Sequence, residues 1–220
     1  MIAQIDGELA GSGLSSSTAV GLAYLKALAA VNESEISDEE LIQLSYQLEN
    51  GQLGLQNGLL DPFTIVYGQR NALLFMDLGR SSVRSIQDAP NHEAAWIIAY
   101  SGVSRELAKS GYNTRVEECR QAAGLLKPGA VKLSDVSLEL FEEKKLSLPE
   151  NLRRRAQHYF SEIERVQAGA EAWETANYDR FGTLMNRSCQ SSIQMYESGS
   201  PVLVELHEIV SSTQGVYGSR

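Results

Sequence analysis

Apolar residues recur at helical spacing over much of the chain, and this pattern predicts its first elements. Small and aliphatic residues over 18–31, with Lys26 as the one charge, predict a helix that is buried on most sides. Ser37 followed three residues later by Glu40 forms a capping box. The leucines behind it predict a second helix that ends near Glu49.

Shorter apolar runs bounded by turn residues predict strands over 2–9, 72–76 and 95–100. Asp61 before Pro62 is typical of an N-cap followed by a first-turn proline, and it predicts a short helix that ends at Gly68. Beyond residue 112 the pattern is almost wholly helical, apart from an ambiguous stretch over 133–148. It predicts helices over 112–125, 150–175, 178–195 and 201–212, the last capped by Ser200.

The composition narrows the class of partner. The chain has 220 residues, of which 43% are hydrophobic and 21% charged, as in ordinary globular proteins. A formal net charge of -9 argues against general attraction to nucleic acid, so any phosphate must be held locally. No apolar run reaches the roughly 20 residues that cross a bilayer, and the N-terminus lacks a secretory signal. We expect a cytoplasmic protein that binds neither nucleic acid nor a membrane.

The cysteines, the histidines and a run of three arginines give no sign of a disulfide, metal or nucleic-acid site. Cys119 and Cys189 are far apart and lack a CxxC pattern, so we expect two reduced core thiols. The three histidines show no metal-binding spacing, and we interpret them as structural or exposed. Arg153, Arg154 and Arg155 lie in a strongly helical stretch and are interpreted as a solvated helix face.

A turn of glycine and serine, residues 11–17, precedes the first predicted helix. A helix N-terminus offers unpaired amides to an anion, and a serine hydroxyl can ligate a divalent cation. A Walker loop is excluded because no lysine precedes Lys26, and a dinucleotide fingerprint needs a glycine where Ser16 stands. A serine-hydrolase elbow has no match. A serine-rich N-cap that only starts the helix stays open.

Two acids, Glu49 and Asp61, flank a glycine-punctuated loop. Such a pair can divide phosphoryl-transfer chemistry, one carboxylate holding Mg²⁺ and the other orienting or deprotonating the attacking hydroxyl. The other interpretation is that both acids cap helices or face water. The two residues alone leave that choice open.

Several segments, in this order, resemble the GHMP kinases, the superfamily of galactokinase, homoserine kinase, mevalonate kinase and phosphomevalonate kinase. Residues 11–17 (GSGLSSS) are similar to the second family motif, and 57–61 (NGLLD) to the segment with the catalytic aspartate of galactokinases. Glu49 stands where those enzymes keep a magnesium carboxylate. Residues 110–119 resemble the segment that places a tyrosine against the sugar, and 215–220 resemble the approach to the third motif.

The resemblance implies ATP and Mg²⁺ as cofactors and a role for each matching residue. Ser17 and Glu49 would hold Mg²⁺, and Asp61 would be the base or orienter for the sugar 1-hydroxyl. Gly58 and Tyr112 would line the sugar pocket together with Asp61. The residues that would cradle the ATP phosphates are Gly11, Ser12, Gly13, Leu14, Ser15, Ser16 and Ser17.

Several segments of the helical half resemble the plant-type galacturonic acid kinases and their bacterial relatives, namely residues 158–162, 165–166, 169, 171–173, 191–193 and 196–197. Read without the family, they are an ordinary helix surface and core, and Arg115 with Glu118 is a surface i,i+3 ion pair. The resemblance implies a sugar 1-kinase for galacturonate or galactose. The alternative is a non-catalytic sugar and ATP-binding regulator, which would not need Ser17, Glu49 and Asp61 together.

The implied fold is α+β, the two-subdomain GHMP kinase fold truncated at both ends. Residues 1–125 would be the remainder of the N-terminal domain with the phosphate loop, and 126–220 the mainly helical part of the C-terminal domain. Leu9 and Pro62 depart from the usual proline and glutamine of the family. The first and third family motifs are absent from these residues. We therefore expect a piece of a longer protein that is inactive or nearly so by itself.

Overall fold

The computed structural model describes residues 13–52, 58–89, 93–102 and 111–220, and of Tyr112 only the backbone. Within these ranges helices prevail, and the described strands form one two-stranded sheet. No helix in the described ranges has both the length and the apolar character needed to cross a membrane.

The chain divides into two compact units. The first comprises Met1–Ser85 and Gly102–Asn113, and the second comprises Ile86–Ser101 and Thr114–Arg220, as far as these ranges are described. The predicted domain boundary at residue 125 stays a prediction.

Three helices that pack on one another form the core of the first unit. Its elements are α1 (Ser16–Val31), α2 (Asp38–Gln47), a π-helical turn (Leu48–Gln52), α3 (Leu60–Tyr67), β1 (Ala72–Asp77) and β2 (Ser82–Gln87). The predicted capping box is confirmed, because the Ser37 hydroxyl accepts from the Glu40 amide at 3.2 Å and Glu40 accepts from the Ser37 amide at 2.9 Å. Leu22, Leu41 and Ile42 are buried where α1 and α2 meet.

Two details of the first unit differ from prediction. Helix α1 is not buried on most sides, since only Thr18 and Leu22 are buried and Val31 is 71% exposed. Helix α3 begins at Leu60, so Asp61 lies in the first turn and does not cap it. Pro62 still falls in that turn, where its missing N–H costs no hydrogen bond.

The sheet is a hairpin of β1 and β2. The prediction of β1 is confirmed, whereas β2 was missed because its SVRSIQ sequence has few apolar residues. Asp77 accepts at 3.1 Å from the amides of both Gly79 and Arg80 and so shapes the turn. The predicted strand over 95–100 is wrong, as residues 93–100 form no strand. The predicted strand over 2–9 lies outside the described residues.

From Thr114 onward the second unit is mainly helical, and its described residues before that are the end of β2 and irregular segments. Its helices are α4 (Tyr112–Leu126, which starts with the last two residues of the first unit), a 3-10 turn (Leu133–Asp135), α5 (Leu138–Lys144), a second 3-10 turn (Lys145–Ser147), α6 (Glu150–Glu174), α7 (Tyr178–Gln194) and α8 (Pro201–Ser211). The four helices predicted here are confirmed to within one residue at each end. Ser200 caps α8 by accepting from the Leu203 amide, as predicted.

Two aromatic contacts show where this unit is packed. Phe141 of α5 stacks on Phe160 of α6 with ring centroids 4.6 Å apart, inside a core that also includes Leu126 and Ala156. Trp173 near the end of α6 contacts several other rings and donates to the Asp88 carboxylate at 3.0 Å. Trp96 lies 5.5 Å from Trp173, which attaches the run 93–100 through side chains instead of strand pairing.

A close backbone crossing holds the C-terminal segment against α7. A Cβ atom added to Gly182 would overlap the carbonyl oxygen of Tyr217, and one added to Gly218 would overlap that of Gly182. Asn186 also accepts from the Ser219 amide at 2.9 Å. The absence of a side chain at both glycines therefore lets the segment lie directly on the helix.

We expect Gly182→Ala to destabilise the protein by about 1–3 kcal/mol, since backbone atoms must separate to admit the methyl group. The matched control is Gly169→Ala in α6, where the nearest atom to a new Cβ is Phe181 at an ordinary 3.7 Å. There we expect no loss, and a gain of up to about 1 kcal/mol from helix propensity. Chemical denaturation measures both variants. A Gly182→Ala protein as stable as its parent would contradict the described crossing.

Candidate active site

The glycine-serine turn leads into α1 through two left-handed positions. Gly13 has φ 80° and Ser15 has φ 56°. Ser15 is the N-cap of α1, yet its side chain makes no capping hydrogen bond. The Ser15 side chain therefore does not cap α1. Gly11 and Ser12 lie outside the described residues, and Leu14, Ser16 and Ser17 are described at the start of α1.

A buried carboxylate faces the first turn of α1. Glu49 belongs to the π-helical turn after α2 and is 4% exposed. The Thr18 hydroxyl donates to Glu49 Oε1 at 2.5 Å. Ser17, the predicted magnesium ligand, is the exposed neighbour of Thr18. The structure thus brings Glu49 to the turn that carries Ser17.

Thr18 is a functional candidate that the sequence pattern did not reveal. It looked like the first residue of a helix, although it follows three serines. Its side chain is buried, with 2% exposed, and its hydroxyl holds the Glu49 carboxyl group by a hydrogen bond. A buried carboxyl group needs hydrogen-bond partners, and the Thr18 hydroxyl supplies one to Glu49.

Asp61 lies half-buried in the first turn of α3, which packs against both α1 and α2. Pro62 and Phe63, directly after it, are buried and anchor that turn. The elements that carry Ser17, Glu49 and Asp61 therefore form one helical cluster. Gly58 is exposed just before α3, and residue 57 lies outside the description. Tyr112 is the first residue of α4.

The interpretation of the three arginines as a solvated face is wrong for Arg155. Its side chain is 1% exposed, and it lies within hydrogen-bond distance of two carboxylates. Nε donates to Glu118 of α4 at 2.7 Å, and Nη2 donates to Glu197 beyond α7 at 2.7 Å. Nη1 donates to the Met195 carbonyl. The sequence pattern placed the charge of Arg155 on the surface. Its carboxylate partners, which are distant in sequence, allow the guanidinium to be buried.

Two further arginines complete what we term the arginine–glutamate network, formed by Arg115, Glu118, Arg154, Arg155 and Glu197. Arg154 bonds Glu197 at 2.8 Å. The predicted i,i+3 pair of Arg115 with Glu118 is confirmed at 2.6 Å, but it is not a surface pair, because Glu118 is 15% exposed. Arg115 also reaches Glu197 at 3.0 Å.

Hydrogen bonds decide the ionisation of the two acids in this network. Burial alone would raise the pKa of Glu118, but hydrogen bonds from Arg155 and Arg115 outweigh it and lower the pKa. A hydrogen bond from Arg155 likewise lowers the pKa of Glu197. Both carboxylates are thus ionised at neutral pH, where the guanidinium groups need them.

Another polar cluster joins α6 to α7. The ring of His158 bonds the Ser191 hydroxyl at 2.8 Å, and burial lowers its pKa to about 4. Glu162 accepts from Ser188 at 2.7 Å and from Arg220 at 3.1 Å. His158 is therefore neutral and structural, as predicted.

The two cysteines are free thiols, as predicted, and both are partly buried. Cys119 lies 3.7 Å from the Tyr196 hydroxyl, and burial raises the pKa of its thiol. Burial also raises the pKa of Cys189. Neither thiol is activated as a nucleophile.

Comparison with known proteins shows what the chain is similar to. Residues 3–69 match the sequence model of the GHMP kinases N terminal domain. A galactokinase crystal structure from Lactococcus lactis, complexed with galactose, has the same fold with a TM-score of 0.83 and 27% identity. The match covers 95% of this chain and 54% of that one. The predicted α+β fold of a GHMP kinase is confirmed.

Two of the similar proteins are a galacturonokinase and a galactokinase. Galacturonokinase of Arabidopsis thaliana is 41% identical over 95% of this chain and 51% of its own length. Galactokinase of Homo sapiens is 32% identical over 96% of this chain and 53% of its own length. The predicted resemblance to galactokinase-like GHMP kinases is confirmed. The chain spans about half the length of the curated relatives it matches.

We expect Thr18→Val to destabilise the protein by about 1–3 kcal/mol, because it removes a donor from a buried carboxylate and changes little else in shape. Thr64→Val is the matched control, since the Thr64 hydroxyl donates to the Leu60 carbonyl on an exposed stretch of α3. That change should stay within about 0.5 kcal/mol. Urea denaturation followed by circular dichroism measures both. Equal stability of the two variants would show that the Thr18 bond does not hold Glu49.

Proposed function

We propose that the protein containing this chain is an ATP-dependent sugar 1-kinase, which transfers the terminal phosphoryl group of ATP to the anomeric hydroxyl of galacturonate or galactose. The observation that carries the proposal is the buried Glu49, bonded to Thr18 at the start of α1. Both residues lie in the part of the chain that matches the GHMP kinase domain.

The phosphate chain of ATP is assigned to the turn before α1. Gly11, Ser12, Gly13 and Leu14 lead into the helix, and Ser15, Ser16 and Ser17 start it. Backbone amides and the positive end of the helix dipole are suited to an anion, and glycine allows close approach. With a formal net charge of -9, the chain has to bind phosphate by such local donors.

Mg²⁺ fits the donors at this position. Ser17 offers a hydroxyl and Glu49 a carboxylate, the hard oxygen ligands that Mg²⁺ prefers. Mg²⁺ commonly takes one or two protein ligands and completes its shell with phosphate and water. Among the described residues, no three His, Cys, Asp or Glu side chains form a group that could hold a metal ion, so the protein would supply only these two ligands. Bound there, the ion would neutralise charge on the phosphates. Thr18 would hold the Glu49 carboxylate in position.

Asp61 is assigned to the acceptor hydroxyl. One carboxylate oxygen accepts a hydrogen bond from the sugar 1-hydroxyl and orients its oxygen toward the phosphorus. As the new O–P bond forms and the bond to ADP breaks, the hydroxyl proton passes to that carboxylate. Gly58 and Tyr112 are assigned to the sugar pocket, where Gly58 leaves room beside α3.

The choice between the two sugars follows the relatives. The 41% identity to a galacturonokinase favours galacturonate, whereas the galactose complex of the Lactococcus lactis enzyme keeps galactose as the second candidate. The alternative to catalysis is a regulator that binds sugar and ATP. Such a protein needs no buried carboxylate at the phosphate turn and no acid at Asp61, so the kinase is the better explanation.

We expect the full-length protein to phosphorylate one sugar from a panel of galacturonate, galactose, glucuronate and arabinose, in an assay of sugar-dependent ADP release. Asp61→Asn should lower kcat at least about 100-fold, because loss of a general base typically removes 10²–10⁴ of the rate. The control is Asp38→Asn, another first-turn aspartate in the first unit, which should keep parental activity.

Two results would contradict the proposal. If no sugar is turned over while ATP and sugar still bind, the protein is a regulator. If Asp61→Asn and Asp38→Asn are equally active, Asp61 has no role in the reaction, and the assigned site is wrong even if the protein is a kinase.

The chain of 220 residues by itself is expected to show at most a trace of this activity, since it spans about half the length of its relatives. The assay is the same ADP release, run with purified chain at micromolar concentration and with the responsive sugar. Sugar-dependent turnover at the rate of the full-length protein would show that these residues contain the whole catalytic machinery.

A further inference from the structure

Two neighbouring contacts hold the π-helical turn after α2 against α1. The Thr18 hydroxyl donates to Glu49 Oε1 at 2.5 Å. Three residues further along α1, a Cβ atom added to Gly21 would lie 3.4 Å from Leu48 Cδ2, so the Leu48 side chain packs over that glycine. Residues three apart lie on one face of a helix, so Leu48 and Glu49 both contact the same face of α1. Both contacts lie within the first unit.

The two contacts constrain different properties of the turn. The apolar contact of Leu48 has no preferred direction, so it brings the turn to the helix without orienting a polar group. A hydrogen bond requires a narrow range of distance and angle, so the bond from Thr18 orients the Glu49 carboxyl group. Asn50 Nδ2 also donates to the Tyr46 carbonyl at 3.0 Å, which ties together the backbone on either side of Glu49. The carboxyl group is therefore directed from a turn that is itself held.

The Thr18 hydroxyl differs from those of three other threonines. Thr64, Thr175 and Thr213 each donate to the backbone carbonyl four residues earlier. A threonine in a helix commonly forms such a bond. Thr18 instead donates to a side chain 31 residues away in sequence. Its hydroxyl thus serves Glu49 and not its own helix.

A magnesium ion would place strict demands on this geometry. Mg²⁺ requires near-ideal octahedral coordination with ligands at about 2.0–2.1 Å, whereas Ca²⁺ accepts ligands at about 2.3–2.6 Å in flexible arrangements. A carboxylate has about four acceptor positions on its two oxygens, so it can accept from a hydroxyl and ligate a cation at the same time. Ser17, the other assigned ligand, directly precedes Thr18 and is exposed. One residue therefore links the two assigned ligands.

We propose that Thr18 is a positioning residue for Mg²⁺: its hydroxyl directs the Glu49 carboxyl group so that Glu49 and Ser17 present their oxygens to one ion. The inference rests on the proposed function, since it takes these two residues as the magnesium ligands. Thr18 itself touches neither the ion nor ATP in this scheme. Loss of its hydroxyl weakens the binding of Mg²⁺, and it weakens that of Ca²⁺ less, because Ca²⁺ tolerates a displaced ligand.

The test measures binding without catalysis. The full-length protein is titrated calorimetrically with a non-hydrolysable ATP analogue in buffers that contain excess Mg²⁺, excess Ca²⁺ or EDTA. The dissociation constant in EDTA divided by that with a metal is the affinity gain due to that metal, because coupling between metal and nucleotide is reciprocal. For Thr18→Val we expect the Mg²⁺ gain to fall at least about 10-fold, the usual effect of removing a partner of a metal ligand. The Ca²⁺ gain should fall about threefold or less.

Thr18→Ser is the matched control, because it keeps the hydroxyl and loses only a methyl group at the same buried position. Its Mg²⁺ gain should stay within about twofold of that of the parent. Thr213→Val removes a hydroxyl that donates to the Ile209 carbonyl in the second unit, and it should leave both gains unchanged. Since Thr18→Val is also expected to be less stable, the calorimetric stoichiometry reports its folded fraction separately from its dissociation constants.

The outcomes separate this inference from the proposed function. An Mg²⁺ gain that is equal in Thr18→Val and the parent overturns the positioning role and leaves the kinase assignment intact. An equal fall in Thr18→Val and Thr18→Ser also overturns it, because packing and not the hydroxyl would explain that result. Equal falls for Mg²⁺ and Ca²⁺ overturn it as well, since the geometry of Glu49 would then not matter. A parent that binds the analogue equally in all three buffers overturns the magnesium assignment, and the role of Thr18 with it.

Discussion

A guanidinium that is withdrawn from water must find acceptors, and this requirement organises the second unit around Arg155. Its partners come from α4 and from the turn after α7, so neither element can shift without leaving a charge unpaired. The apolar core of this unit, which includes Leu126, Phe141 and Phe160, supplies most of the buried contact area, and the ion pairs add contacts that depend on direction.

The first unit also contains a buried polar group that needs a partner, and this group lies in the proposed magnesium site. Glu49 is a buried acid, and the Thr18 hydroxyl links it to α1. The link also places the Glu49 side chain at the start of that helix. In a kinase a carboxyl group at this place would serve to hold the cation that accompanies the phosphates. Stability and catalysis are thus expected to draw on one contact.

Local signals made much of this fold predictable, and partners distant in sequence account for the rest. The capping box at Ser37 and the cap at Ser200 are read within four residues, and the helices behind them formed as expected. Strand β2 was missed because its sequence has few apolar residues, so that only its pairing with β1 shows that it is a strand. Arg155 was misassigned because its acceptors lie 37 and 42 residues away. Thr18 was overlooked because only the fold shows what its hydroxyl touches.

The three arginines of the network already have hydrogen-bond partners, and this bears on which of them could bind a sugar carboxylate. Galacturonate differs from galactose by a carboxylate, which needs cationic or amide donors in its pocket. Arg115, Arg154 and Arg155 already serve Glu118, Glu197 and backbone carbonyls. Diverting one of them to a substrate would leave a partly buried glutamate short of a partner, at a cost comparable to the gain. Preference for galacturonate would therefore have to come from backbone amides or from cations outside the network.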